Sequence, residues 1–171
     1  GPVVGTVMSN LGLEHALKER NIEFRRAAVG DRYVLETLRE SGGTIGGETS
    51  GHMIVLDQTT TGDGLICALQ VLAVMQQLGR TLSELAKGMP KYPQAMVNVR
   101  VAKRLNPDDS QVIREAVVEA EGELADTGRI VLRASGTEPV IRVMVEGPDE
   151  KAVNELAERL AEVVADAANQ S

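Results

Sequence analysis

Two short segments of this sequence carry side chains whose types and spacing suit chemistry. The first is Arg133-Ala134-Ser135-Gly136-Thr137-Glu138-Pro139, followed on the same stretch by Arg142. A guanidinium is a planar fork that can grip two phosphate oxygens at once. Ser135 and Thr137 each add a hydroxyl donor, and Gly136 permits a tight bend in which successive backbone N–H groups face one anion. Arg142, a short way along the next strand, brings a second charge. Charge-assisted contacts of this kind contribute roughly 1.5–3 kcal/mol each, so a few suffice to hold a phosphate. Ser, Gly, Thr and Pro also make ordinary hairpin turns, and the pattern alone leaves both readings open. No lysine follows a glycine in the manner of a P-loop, so nucleotide binding of that type is not indicated.

The second segment is Gly46-Gly47-Glu48-Thr49-Ser50-Gly51-His52. The Glu48 carboxylate has two acceptor oxygens and can take two adjacent sugar hydroxyls. Ser50 can point the same way, and His52, at the start of the next strand, can orient the loop. A polar tight turn is the simpler reading of the spacing, and a structural hydrogen bond is the simpler role for His52. Val29-Gly30-Asp31-Arg32-Tyr33 is either a cap at Asp31 followed by a surface helix, or a device that brings Arg32 to a phosphate at a helix start. Asp31 and Arg32 are therefore further candidates. Gly62-Asp63-Gly64 holds one carboxylate, too few for a hard cation, and reads as a helix cap. His15 reads as solvated.

These segments need a scaffold. The chain has 171 residues, 43% of them hydrophobic but only 2% aromatic, so the core must be aliphatic. The net charge of -7 argues against a nucleic-acid partner, and it means that an anion must be held by a local positive cluster. The single cysteine, Cys67, lies in an apolar run and reads as a small buried hydrophobe. No stretch resembles a signal peptide or a membrane span, so the cytoplasm is the expected compartment. The sequence begins Gly1-Pro2 and runs directly into strand-like Val3-Val4-Gly5-Thr6, as an excised fragment would.

Strands are expected at 3–8, 24–29, 44–47 and 52–56, with helices after Asn10, from Asp31, over about 63–78, and after the capping box Thr81-Leu82-Ser83-Glu84. This first unit, residues 1–88, alternates strand and helix and reads as α/β. A proline-rich linker over 89–95 separates it from residues 96–171. There Val97, Val99 and Val101 alternate with polar residues, Asp108 with Gln111 offers a helix cap, and strands at 129–133 and 140–146 flank the arginine turn. Pro148 in Gly147-Pro148-Asp149-Glu150 is expected at the first position of a last helix. The order strand-helix-strand-strand-helix suits a small α+β domain.

Gly47-Glu48-Thr49-Ser50-Gly51-His52 resembles the sugar-recognition loop of the third domain of the α-phosphohexomutases, and Arg133-Ala134-Ser135-Gly136-Thr137-Glu138-Pro139 resembles the phosphate loop of their fourth domain. Val3-Val4-Gly5-Thr6, Val29-Gly30-Asp31-Arg32-Tyr33-Val34 and Thr59-Thr60-Thr61-Gly62-Asp63-Gly64 are closest to the phosphoglucosamine mutase branch. The resemblance implies a partial third α/β domain followed by the fourth domain of a four-domain isomerase. Such an enzyme interconverts glucosamine 6-phosphate and glucosamine 1-phosphate, a step toward UDP-N-acetylglucosamine and the cell wall. It does so through a phosphoserine and a sugar bisphosphate intermediate, with Mg2+ held by an Asp-rich loop of the second domain. Glu48, Ser50 and His52 would then bind the amino-sugar phosphate through its ring. Arg133, Ser135, Gly136, Thr137 and Arg142 would hold the phosphate that is not reacting. Neither the serine nucleophile loop nor the Asp-Gly-Asp metal loop stands in these residues, so the fragment alone is expected to be inactive and to hold no metal. The opening strand and helix of the third domain are also missing, which makes a homodimer or a swapped assembly an expectation. The alternatives are a non-catalytic sugar-phosphate binding module and a mutase of glucose or mannose specificity.

Overall fold

Short β-branched runs and helices with one apolar face build two compact units, Gly1–Lys91 and Tyr92–Ser171, in a computed structural model that describes residues 1–102, 106–136 and 138–169. In the first unit β1 (Val3–Thr6) pairs in parallel with β2 (Phe24–Ala27) and with β3 (Ile45–Gly47), and β3 pairs antiparallel with β4 (Met53–Val55). The sheet order is β2-β1-β3-β4. Parallel neighbours need crossovers, which α1 (Leu11–Lys18) and α2 (Asp31–Ser41) supply. Asn10 caps α1 through the Gly12 amide. Val34 and Leu38 of α2 bury against Val4, Ala27 and Ile54. Gly46 makes this packing close: a Cβ there would stand 2.8 Å from Val34 Cγ1 and 2.9 Å from the Val4 carbonyl oxygen.

Two expectations change here. Asp31 does not cap α2. Gly30 takes the cap position with φ 131, and Asp31 is the first helical residue, its carboxylate turned elsewhere. Asp63 does cap α3 (Gly64–Leu78), accepting from the Leu65 and Ile66 amides, and Thr81 and Glu84 form the capping box of α4 (Leu82–Ala86). Yet α3 buries none of its residues: Leu65 is 80% and Leu69 64% exposed. Cys67 is accordingly only half-buried and lies against the Met53 sulfur rather than in a core. An apolar run shows what a helix can bury, and β4 and α4 are the elements that α3 chiefly meets.

The second unit is a three-stranded antiparallel sheet of order β5-β7-β6, from β5 (Gln94–Arg100), β6 (Arg129–Ala134) and β7 (Val140–Glu146). Helices α5 (Gln111–Leu124) and α6 (Glu150–Asn169) cover one face. Val99, Ile141, Val143 and Val145 meet Ile113, Ala120, Val153, Leu156, Leu160 and Val164 in that core. Strand alternation sends Asn98, Arg100, Arg133, Arg142 and Met144 to the opposite face. Ser110, not Asp108, caps α5, because Pro107–Asp109 forms a separate 3-10 turn. The last helix begins at Glu150, and Asp149 accepts from the Ala152 amide at 2.8 Å, which leaves Pro148 ahead of the helix.

Glu146 is wholly buried and accepts from Arg129 Nε at 2.8 Å across the β6–β7 pair. Removing one partner of a buried ion pair strands the other. Glu146→Ala should therefore lower the unfolding free energy by about 3 kcal/mol. Glu146→Gln, which still accepts a hydrogen bond, should cost less. Urea midpoints by circular dichroism read both, and a change in Glu146→Ala no larger than that of a surface substitution would show that the pair does not hold the strands.

Candidate functional site

In the first unit the β3–β4 hairpin presents the acidic turn. The Glu48 amide donates to the His52 carbonyl at 2.9 Å, the Gly51 amide donates to the Glu48 carbonyl at 3.0 Å, and Gly51 takes φ 95 to close the turn. Glu48 Oε2 accepts from the Gly30 amide at 3.0 Å. Only glycine adopts the φ of 131 that Gly30 has at that point without strain. Asp31 Oδ1 lies 3.2 Å from His52 Nδ1. Asp31, Glu48 and His52 thus come together, with ligand-type atoms all within 4.8 Å of one another. Ser50 stands exposed at the tip of the turn. Arg32 stays apart: its guanidinium lies 4.8 Å from the Tyr33 ring centroid and donates to the Tyr33 hydroxyl.

The two carboxyls behave differently. The hydrogen bond shared with Glu48, helped by His52, holds the Asp31 carboxyl below its usual range. The same shared bond, with partial burial, pushes the Glu48 carboxyl up, and the Gly30 amide only partly opposes this. As pH falls, Glu48 takes up a proton first and Asp31 stays the anion. The cluster is suited to a ligand rich in hydroxyls, offering carboxyl oxygens as acceptors. It does not fit magnesium, which wants a near-octahedral shell of oxygens. Two carboxyls already bonded to each other and to an imidazole do not offer one.

In the second unit Arg133 and Arg142 are direct cross-strand partners, and Asn98 is the partner of Arg142 on its other side. Like charges set opposite one another are destabilising. Arg100, Arg133 and Arg142 form no ion pair among the described residues, as is also true of Arg20, Arg32, Arg39, Arg80 and Arg114; Arg25, Arg26, Arg129 and Arg159 do reach carboxylates. Arg133 Nε is buried without a hydrogen-bond partner.

The Ser135 amide donates to the Val140 carbonyl at 2.8 Å, the Val140 amide to the Glu138 carbonyl, and the Glu138 amide to Ser135 Oγ. These three amides serve the turn. Gly136 is not in the left-handed region, and a Cβ there would meet nothing within 4 Å. Thr137 lies outside the described residues. One cavity of about 300 Å³ is lined by Asn98, Arg100, Glu138 and Arg142, and another of about 500 Å³ by Ser135, Gly136, Asn106 and Asp109. Asn98 and Arg100 were not among the candidates from sequence. Their alternation with Val97 and Val99 was the available signal, but the strand they would face was not readable.

The opposite shifts of the two carboxyls give a titration test. Asp31→Asn removes the groups that raise Glu48, so the Glu48 carboxyl should titrate at lower pH than in the native chain. Side-chain carboxyl 13C shifts followed with pH measure this, and an unchanged Glu48 midpoint would show that the two acids are not coupled.

The geometry can be set beside known proteins. The family model described as "Phosphoglucomutase/phosphomannomutase, alpha/beta/alpha domain III" matches residues 1–92. The one described as "Phosphoglucomutase/phosphomannomutase, C-terminal domain" matches residues 96–163. The phosphoglucosamine mutase of Methylococcus capsulatus is 59% identical over 165 residues, 96% of this chain and 37% of that protein. That of Halorhodospira halophila is 58% identical over 168 residues, 98% of this chain and 37% of that protein. The chain thus spans little more than a third of the curated relatives it matches. A crystal structure of Aspergillus fumigatus N-acetylphosphoglucosamine mutase in complex with GlcNAc-6P and magnesium superposes with a TM-score of 0.81 at 21% identity, over 98% of this chain and 39% of that one. At that identity the likeness shows the fold alone. With both domains matched in order along nearly its whole length, the chain belongs to the phosphoglucomutase/phosphomannomutase family.

Proposed function

We propose that this chain supplies the sugar grip and the remote-phosphate grip of a phosphoglucosamine mutase, which interconverts glucosamine 6-phosphate and glucosamine 1-phosphate in the cytoplasm. The observation that carries the reading is the facing pair Arg133 and Arg142, with a buried guanidinium nitrogen and no ion pair to either among the described residues. High identity to proteins named phosphoglucosamine mutase supports the choice of substrate over glucose or mannose phosphates. No helix among the described residues is long and apolar enough to cross a membrane.

On this reading the residues of the chain bind and orient. Arg133 and Arg142 hold the phosphate at the end of the sugar that is not reacting, with Ser135 beside them. Glu48 takes ring hydroxyls, steadied by the Gly30 amide and by Asp31, which is itself held by His52. Ser50 reaches the same ring from the turn tip. Binding energy from this remote end holds the other end where transfer occurs. Hydroxyls near the middle of the ring can be presented either way round, which a mutase acting through a bisphosphate requires. The phosphoserine belongs to the rest of the protein. Magnesium, when bound there, neutralises charge on the transferring phosphoryl group.

The test is a titration of the 171-residue chain by amide NMR. Inorganic phosphate should shift amides within 133–142, and glucosamine 6-phosphate should shift these and also 48–52 where the same molecule or a second one reaches that turn. Arg133→Ala should abolish the first set. Glu48→Gln should weaken the second set about tenfold and leave the first unchanged. No phosphate-induced shift in 133–142 would remove the reading. The exposed leucines of α3 also support self-association of the chain. Light scattering should give a mass above that of one copy, and a strict monomer would refute this.

A further inference from the structure

The face of the C-terminal sheet that bears no helices carries a third guanidinium. On β5, Asn98 stands opposite Arg142 and Arg100 stands opposite Val140, one alternation further toward the arginine turn. Asn98, Arg100, Arg142 and Glu138 line the cavity of about 300 Å³ at that end of the sheet. Because β7 is the central strand, Arg133 and Arg100 approach this face from opposite sides of Arg142. Two strand spacings amount to about 10 Å, a gap that two long side chains leaning inward can close around one phosphate. The charges also match. Arg100 and Arg142 with the Glu138 carboxylate give that cavity one net positive charge, and Arg133, which does not line it but faces Arg142 from β6, brings the total to two, which suits a phosphate dianion.

We propose that Arg100 is a phosphate-binding residue, completing from β5 the grip that Arg133 and Arg142 provide from β6 and β7, with the Asn98 amide as a neutral donor beside it. This rests on the phosphate reading above and deepens it. The competing role for Arg100 is to guard an edge strand, where charged side chains discourage pairing with other chains. One observation favours the site: Arg100 lines the same cavity as Arg142. A guard of the edge would not need a cavity before it.

The experiment is calorimetric titration of the 171-residue chain with inorganic phosphate. Arg100→Ala should weaken binding roughly tenfold, and Asn98→Ala should weaken it less. Arg100→Lys should recover only part of the loss, because an ammonium keeps the charge but not the fork. Arg100 is exposed, so these variants should keep the native amide spectrum outside the strand, which checks the fold. If Arg100→Ala binds as the native chain does while Arg133→Ala does not bind, Arg100 is an edge guard and the proposal is overturned. If the native chain binds no phosphate, or Arg133→Ala leaves binding unchanged, the phosphate reading itself falls and takes this proposal with it.

Discussion

The C-terminal unit depends on an electrostatic arrangement that the fold alone does not reward. Arg133 and Arg142 sit directly opposite each other on antiparallel strands, and a nitrogen of one is buried with nothing to receive its proton. Such a pair costs stability in the free protein. It persists because β6 and β7 are held on their other face by Ile141, Val143 and Val145 against two helices, and at their far end by the buried Arg129–Glu146 pair. One end of the hairpin has its arginine neutralised and the other does not. That contrast within a single pair of strands is what the proposed phosphate grip rests on.

The acidic turn in the first unit is built on the opposite plan. Its polar groups are partnered internally: the Gly30 amide on Glu48, Asp31 beside Glu48, and His52 on Asp31. A network of this kind fixes the orientation of each member. Hydroxyl groups of a sugar are neutral and need well-placed acceptors and donors more than field strength. The two sites thus follow the chemistry of what each would hold, a dianion in one case and a neutral polyol ring in the other.

Much of this was legible in advance. The aliphatic alternation of Val97, Val99 and Val101 and the apolar face of α6 identify their elements because period and burial agree. Asp63 and Thr81 were readable as caps because capping is local. Asp31 was misread as a cap because its role depends on His52 and Glu48, which lie far along the chain. Spacing likewise could not reveal that the Ser135 and Glu138 amides of the arginine turn are taken up by Val140 and Ser135. Arg100 was overlooked because its value comes from strand order. Only with β7 placed between β5 and β6 does it share a face with Arg133. Local chemistry can be read from residues, whereas partnership across strands needs the pairing.

The net charge of -7 sharpens this distinction. Exposed charges more than about 8 Å from the site are largely screened at physiological salt, so the acidic surface neither repels a bound phosphate strongly nor draws one in. Affinity must come from groups within contact distance and partly shielded from water. Arg133, with its buried nitrogen, meets that condition better than an arginine standing fully in solvent. Each guanidinium added around one phosphate also costs repulsion with those already there, so a third is worthwhile only where a carboxylate such as Glu138 lowers the excess charge. A grip made in this way discriminates by charge and shape at short range and leaves the rest of the surface free to stay acidic.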